Sequence, residues 1–169
     1  MDKVVFMGLL LSKYGIGPTK ERVRAVLEAN SPTSASEVRS FLGMVGFSSR
    51  FIPNFATIAE PLRAVTRQGT SFKWGKEQHS AFKQLKRALA DAPVLAYFDK
   101  EAHTSVVTDA SPVGLGAILI QEKDGISRVV CYASRSLSDV ERRYSQTEKE
   151  ALGIVWGFER LNLYLQGLE

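Results

Sequence analysis

Cysteine is almost absent: Cys131 is the only one in 169 residues. That excludes an internal disulfide and a zinc ribbon, and it makes a reducing, intracellular setting the expectation. The two histidines, His79 and His103, have no partner at ligand spacing, so neither points to zinc. No run approaches the roughly 18–20 unbroken apolar residues that a membrane helix requires. The segment Val4–Leu11 is apolar but short, and it lacks the basic flank and cleavage site of a secretory signal. Repeats of fixed period and low-complexity tracts are also missing.

What is present is ordinary for a globular protein, with 44% hydrophobic and 24% charged residues. The length suits one large domain or two small ones with a real core. The net charge of +4 conceals an asymmetry. Residues 1–90 carry 14 Lys and Arg against 6 Asp and Glu, whereas residues 91–169 carry 8 against 12. A basic half joined to an acidic half hints at nucleic-acid contact on the first, although a solvated basic surface gives the same count.

Lys3–Leu11 reads as a strand, and Lys13–Pro18 as a turn in which Gly15 and Gly17 supply positive φ. Helical patterns follow over Lys20–Ala29, from the Ser34/Glu37 capping spacing to about Phe51, over Ala56–Val65 with a break or restart at Pro61, and over Lys76–Ala90. After Pro93 the pattern changes. Thr104–Thr108, Leu115–Gln121 and Arg128–Ala133 read as strands, with Asp124-Gly125 as a hairpin turn between the last two. Ser138 and Glu141 again have capping spacing, and a helix spans about Gln146–Leu165. The implied class is α+β: a hairpin and a helical subdomain, followed by an α/β region with a three-stranded antiparallel sheet and one helix.

Several runs, in order, resemble one family. Phe6-Met7-Gly8-Leu9-Leu10-Leu11 with Gly15-Ile16 and Pro18 resembles the primer-grip hairpin of gypsy-type LTR-retrotransposon reverse transcriptases. Arg39-Ser40-Phe41-Leu42-Gly43 and Arg50-Phe51-Ile52-Pro53-Asn54-Phe55 resemble the thumb of these enzymes. Thr108-Asp109-Ala110-Ser111, Gly114-Leu115-Gly116-Ala117, Tyr132-Ala133-Ser134-Arg135 and Glu148-Lys149-Glu150-Ala151-Leu152 are similar to their ribonuclease H portion. The resemblance divides the chain into a primer-grip-like hairpin (1–18), a helical thumb or connection (19–92) and a truncated ribonuclease H-like domain (93–169).

It also implies sites. Family ribonuclease H domains use four carboxylates around Mg²⁺, in keeping with that ion's preference for hard oxygen ligands. Asp109 and Glu150 match the first two, with Glu148 in reserve, because residues two apart on a helix point about 200° apart. The second pair has no counterpart here, and no Asp-Asp pair matches the polymerase centre. The expectation is therefore no polymerase activity and little nuclease activity from this chain alone. The thumb resemblance implies that Arg39, Gly43, Phe47 and Arg50 contact an RNA–DNA hybrid or DNA duplex. For Phe47 the core is the alternative destination, and for the nearby Gly46 it is close packing of one helix on another. A non-catalytic scaffolding protein, self-associating through the open edge of the short sheet, is the competing reading.

Overall fold

Residues 3–168 are described by the structure, a computed structural model; Met1, Asp2 and Glu169, at the outer ends of the first and last assigned regions, lie outside them. The expected single strand at the start is in fact two. β1 (Lys3–Phe6) and β2 (Leu9–Ser12) form a hairpin, and β3 (Gly15–Pro18) adds a third antiparallel strand. The chain reverses at Met7 and Gly8, with φ of 48° and 76°. Two consecutive left-handed residues make the tight turn that matches strand twist. Met is a poor signal for that turn, and the apolar run continues across it, which hides the reversal from the sequence.

Four helices follow: α1 (Lys20–Glu28), α2 (Ala35–Gly46), α3 (Phe55–Ala64) and α4 (Lys76–Ala90). The Ser34 side chain caps α2 by accepting from Glu37 N at 3.2 Å. The Glu37 carboxylate reaches back one residue further than a capping box requires, to Thr33 N at 2.8 Å. α2 stops at Gly46, short of Phe51, and the chain tightens into a 3-10 turn at Ser49–Phe51. Phe51 and Ile52 are fully buried there, so tertiary packing ends the helix where periodicity would continue it. α3 in turn runs through Pro61 without a restart. The proline removes one helical hydrogen bond, but Phe55, Ala59 and Leu62 are buried on this helix and hold it. The core joins Val38, Phe41 and Val45 of α2 to Leu62 of α3 and Phe82, Leu85 and Leu89 of α4. Phe41 and Phe82 meet with ring centroids 4.5 Å apart.

The second sheet is antiparallel in the order β4 (His103–Ala110), β5 (Gly114–Lys123), β6 (Ile126–Ser136). Asp124 and Gly125, both at positive φ, close the expected hairpin. α5 (Gln146–Leu165) covers one face. Gly157 lets it approach closely, since a Cβ there would stand 2.7 Å from Thr108 Cγ2. α3 and the 3-10 turn cover the other face, where a Cβ at Gly116 would collide with the Asn54 side chain. The two halves are stitched together by polar contacts. Ile16 and Leu95 exchange backbone bonds of 2.8 Å, Ala56 N donates to Ser134 Oγ at 3.0 Å, and buried Glu60 accepts from both Arg67 (2.6 Å) and Arg142 (2.8 Å). The architecture is α+β, with two three-stranded antiparallel sheets and five α-helices among the described residues.

Candidate nucleic-acid interface and carboxylate site

Three of the four residues expected to meet nucleic acid share one face of α2, because helical positions four apart stack along one side. Arg39, Gly43 and Phe47 follow one another at that spacing, and Arg50 comes next on the 3-10 turn; all four are exposed. Gly43 has no packing role, since a Cβ there would meet nothing within 4 Å. The same holds for Gly46, which corrects the alternative of close helix packing at that position. Phe47 is 45% exposed and outside the core. Its ring carries the Arg22 guanidinium at 3.6 Å from the centroid, a cation–π contact at a partly exposed site. One Arg39 nitrogen donates to Thr66 O at 3.1 Å, which orients the side chain and leaves its other donors free.

Sequence reading missed Arg22. It lies on α1, outside any quoted motif, yet its guanidinium fills the space a Cβ of Gly8 would need. It thereby joins the β1–β2 turn to the exposed face of α2. No local signal marks it, because only folding brings residues 8, 22 and 47 together.

The carboxylates sit around the end of β4 and the start of α5. Val106 and Thr108 lie under Gly157, and Ala110 packs with Leu152 and Trp156. Side chains alternate along a strand, so Asp109 lies on the face away from α5 and is exposed. It pairs with Gly116 across the sheet, on the side that holds Asn54. Glu150 is exposed on α5, where Gln146 Nε2 bridges it to the β4 end, donating to Glu150 Oε1 at 3.2 Å and to Ala110 O at 2.9 Å. Glu148 is engaged differently. Its carboxylate accepts from Ser145 Oγ at 2.7 Å and Ser145 N at 2.8 Å, completing the capping box of α5. The Ser145 hydroxyl, and then its N–H, hold that carboxyl below the usual range.

Asp109 and Glu150 make no ion pair among the described residues. Asp109 faces away from α5 and Glu150 is carried by α5, so the two carboxylates do not converge on one ion, and each offers a single hard-oxygen contact of the kind a hydrated Mg²⁺ accepts. No group of three or more His, Cys, Asp or Glu side chains comes together among the described residues, so the donors fit a weak site. No helix among the described residues is long and apolar enough to cross a membrane.

Residues 74–169 match the family described as an RNase H-like domain found in reverse transcriptase. The retrovirus-related Pol polyprotein from transposon 297 of Drosophila melanogaster is 37% identical over 163 residues, covering 96% of this chain and 15% of that protein. The chain thus spans a small part of the curated relatives it matches. Among solved structures, a foamy viral protease-reverse transcriptase dRH in complex with double-stranded DNA superposes with a TM-score of 0.82 at 26% identity. It covers 98% of this chain and 29% of that one. The foamy viral protease-reverse transcriptase in complex with RNA/DNA hybrid gives 0.80 at 27% identity, covering 98% and 23%.

Proposed function

The chain belongs to the family of RNase H-like domains found in reverse transcriptase, and from that premise we propose that it is a part of a gypsy-type retroelement Pol protein that grips duplex nucleic acid. The gripping face is Arg39, Gly43, Phe47 and Arg50, with Arg22 beside them. Residues 1–18 act as the primer-grip-like hairpin, 19–92 as the helical thumb or connection and 93–169 as the RNase H-like domain, in an intracellular setting. The observation that carries the reading is the open space over Gly43 and Gly46, flanked by arginines on an exposed helix face. A helix-interior glycine with nothing to pack against costs stability, and close approach of a sugar–phosphate backbone gives it a use. Two of the solved relatives are complexes with double-stranded DNA and RNA/DNA hybrid, which supports those ligands here.

Arginine forks bind phosphates without reading sequence. Binding is therefore expected to be sequence-tolerant and to weaken steeply with salt. Fluorescence anisotropy over a salt series with hybrid, DNA duplex and single strands tests it; no binding at low salt refutes it. Were Mg²⁺ bound, it would supply charge neutralisation for phosphate chemistry, with Asp109 on β4 and Glu150 on α5 as the family-matched carboxylates. With half the family's carboxylates, the chain alone is expected to leave an RNA–DNA hybrid uncut.

A second reading is favoured by a different observation. α5 exposes Ile154, Val155 and Phe158, and β4 is an edge strand. Self-association of a non-catalytic scaffold through this surface would make mass, measured by light scattering, rise with concentration; a strict monomer refutes it.

A further inference from the structure

The seam between the helical half and the second sheet holds a recess of about 250 Å³ that the α2 face does not account for. Arg50 reaches it from the 3-10 turn and Arg160 from the C-terminal part of α5, with Ser49, Tyr132, Ser134 and Tyr164 also lining it. Among the described residues no acidic side chain lines it. Neither arginine makes an ion pair among the described residues. Two guanidiniums facing one recess repel each other unless something negative lies between them.

The described residues offer no such group. Cys131 lines the recess, but burial pushes its thiol up while Arg50 and Arg160 act in the opposite direction. A thiol raised by burial stays protonated at neutral pH. Ser134 Oγ accepts from Ala56 N at 3.0 Å, which leaves its own proton to donate. The recess is smaller than the roughly 300–1,000 Å³ of pockets that enclose whole ligands, so it suits one anionic group carried on a larger molecule.

We propose that Arg50 and Arg160 clamp one phosphodiester group of a bound duplex in this recess. The inference rests on the duplex-binding reading and extends it to the second half of the chain. Arg50 follows Arg39, Gly43 and Phe47 along the exposed face, so a backbone tracking that face arrives next at the recess. Two planar donor forks, with the Ser49 and Ser134 hydroxyls lining the same recess, suit a phosphate.

The test is duplex binding by the full chain over a salt series, with Arg160→Ala, Arg160→Gln and Arg39→Ala, and inorganic phosphate as a separate ligand. Arg160→Ala and Arg160→Gln are expected to weaken binding about three- to tenfold, and to lower the slope of log K against log salt by about 1. Melting temperatures should stay at the parental value, because Arg160 is exposed. Parental affinity and slope in both Arg160 variants, with Arg39→Ala weakened, overturns the clamp and leaves the α2 face standing. No duplex binding by the parent overturns both. If phosphate raises the melting temperature of the parent but not of Arg160→Ala, while duplex binding ignores Arg160, the recess takes a free anion and the clamp is overturned.

Discussion

Replacing Gly43 with alanine separates stability from binding, because the two are expected to move in opposite directions. Gly43 lies inside α2, and a Cβ there meets nothing within 4 Å. The substitution therefore removes the entropic cost of a helical glycine without adding a clash. That cost is about 0.5–1 kcal/mol, so the melting temperature should rise by about 1–4 °C for a chain of this size. The same methyl group intrudes on the surface where a nucleic-acid backbone is proposed to lie. Pushing one backbone contact out of reach there is worth about 1 kcal/mol, or roughly fivefold in affinity.

The assay is a pair of measurements on one variant: thermal or urea unfolding, and anisotropy with a labelled duplex at low salt. A stabilised variant with parental affinity refutes the proposal that a backbone approaches α2 at Gly43. A destabilised variant refutes the open space itself. Simple loss of folding lowers both quantities together and so cannot imitate the expected result.

Three further outcomes follow from the polar contacts. Glu60→Gln should lower the urea midpoint with little change in slope, because it strips the carboxylate from Arg142, whose side chain is only 23% exposed. Breaking a buried pair costs about 3–5 kcal/mol, and partial solvent access brings the expectation here to about 2 kcal/mol; a loss under about 0.5 kcal/mol would refute it. Arg24→Ala, which breaks an exposed i,i+4 pair, should change stability by less than about 0.5 kcal/mol in the same urea titration. Glu141 gives the pH dependence. The Arg135 guanidinium, aided by Ser138, holds its carboxyl down to about 2, from an ordinary value of 4.5. A depressed folded pKa contributes stability that is complete above the unfolded value and lost as pH falls through the folded one. Melting temperature should therefore decline between about pH 4.5 and 2, and Glu141→Gln should flatten that decline. An identical decline in the variant refutes the assignment.

Some elements were legible because local signals agreed. α4 and α5 fall on the residues where apolar periodicity placed them, Lys76–Ala90 and Gln146–Leu165. The Asp124-Gly125 turn carries its conformational preference in its own two residues. The misses lie where tertiary structure overrides local preference. Met7 adopts positive φ without the side chain that usually announces it. Pro61 sits inside α3 because both flanks of that helix are buried. Helix α2 ends early because Phe51 and Ile52 are drawn into the core. At the candidate site, periodicity alone aligns Arg39 and Gly43 on α2 with Phe47 at its C-cap. The addition of Arg22 and Arg160 could not be read, because their neighbours are distant in sequence.

That difference bears on how the surfaces cooperate. A clamp shared by Arg50 and Arg160 works only if the 3-10 turn and α5 keep a fixed separation. The sheet supplies this, since α5 packs on one face through Gly153 and Gly157, and α3 on the other through Asn54 and Thr57. The Thr57–Ser111 bond of 2.9 Å and the Glu60–Arg142 pair then hold α3 to the loops at the edge of that sheet. Rigid support of this kind lowers the ordering cost of binding. Cutting the support at Glu60 should therefore weaken duplex binding even though Glu60 is buried and touches no proposed ligand. Affinity in Glu60→Gln, measured at a temperature where the variant stays folded, separates this from a merely structural role: unchanged affinity means the two arginines act independently of the seam.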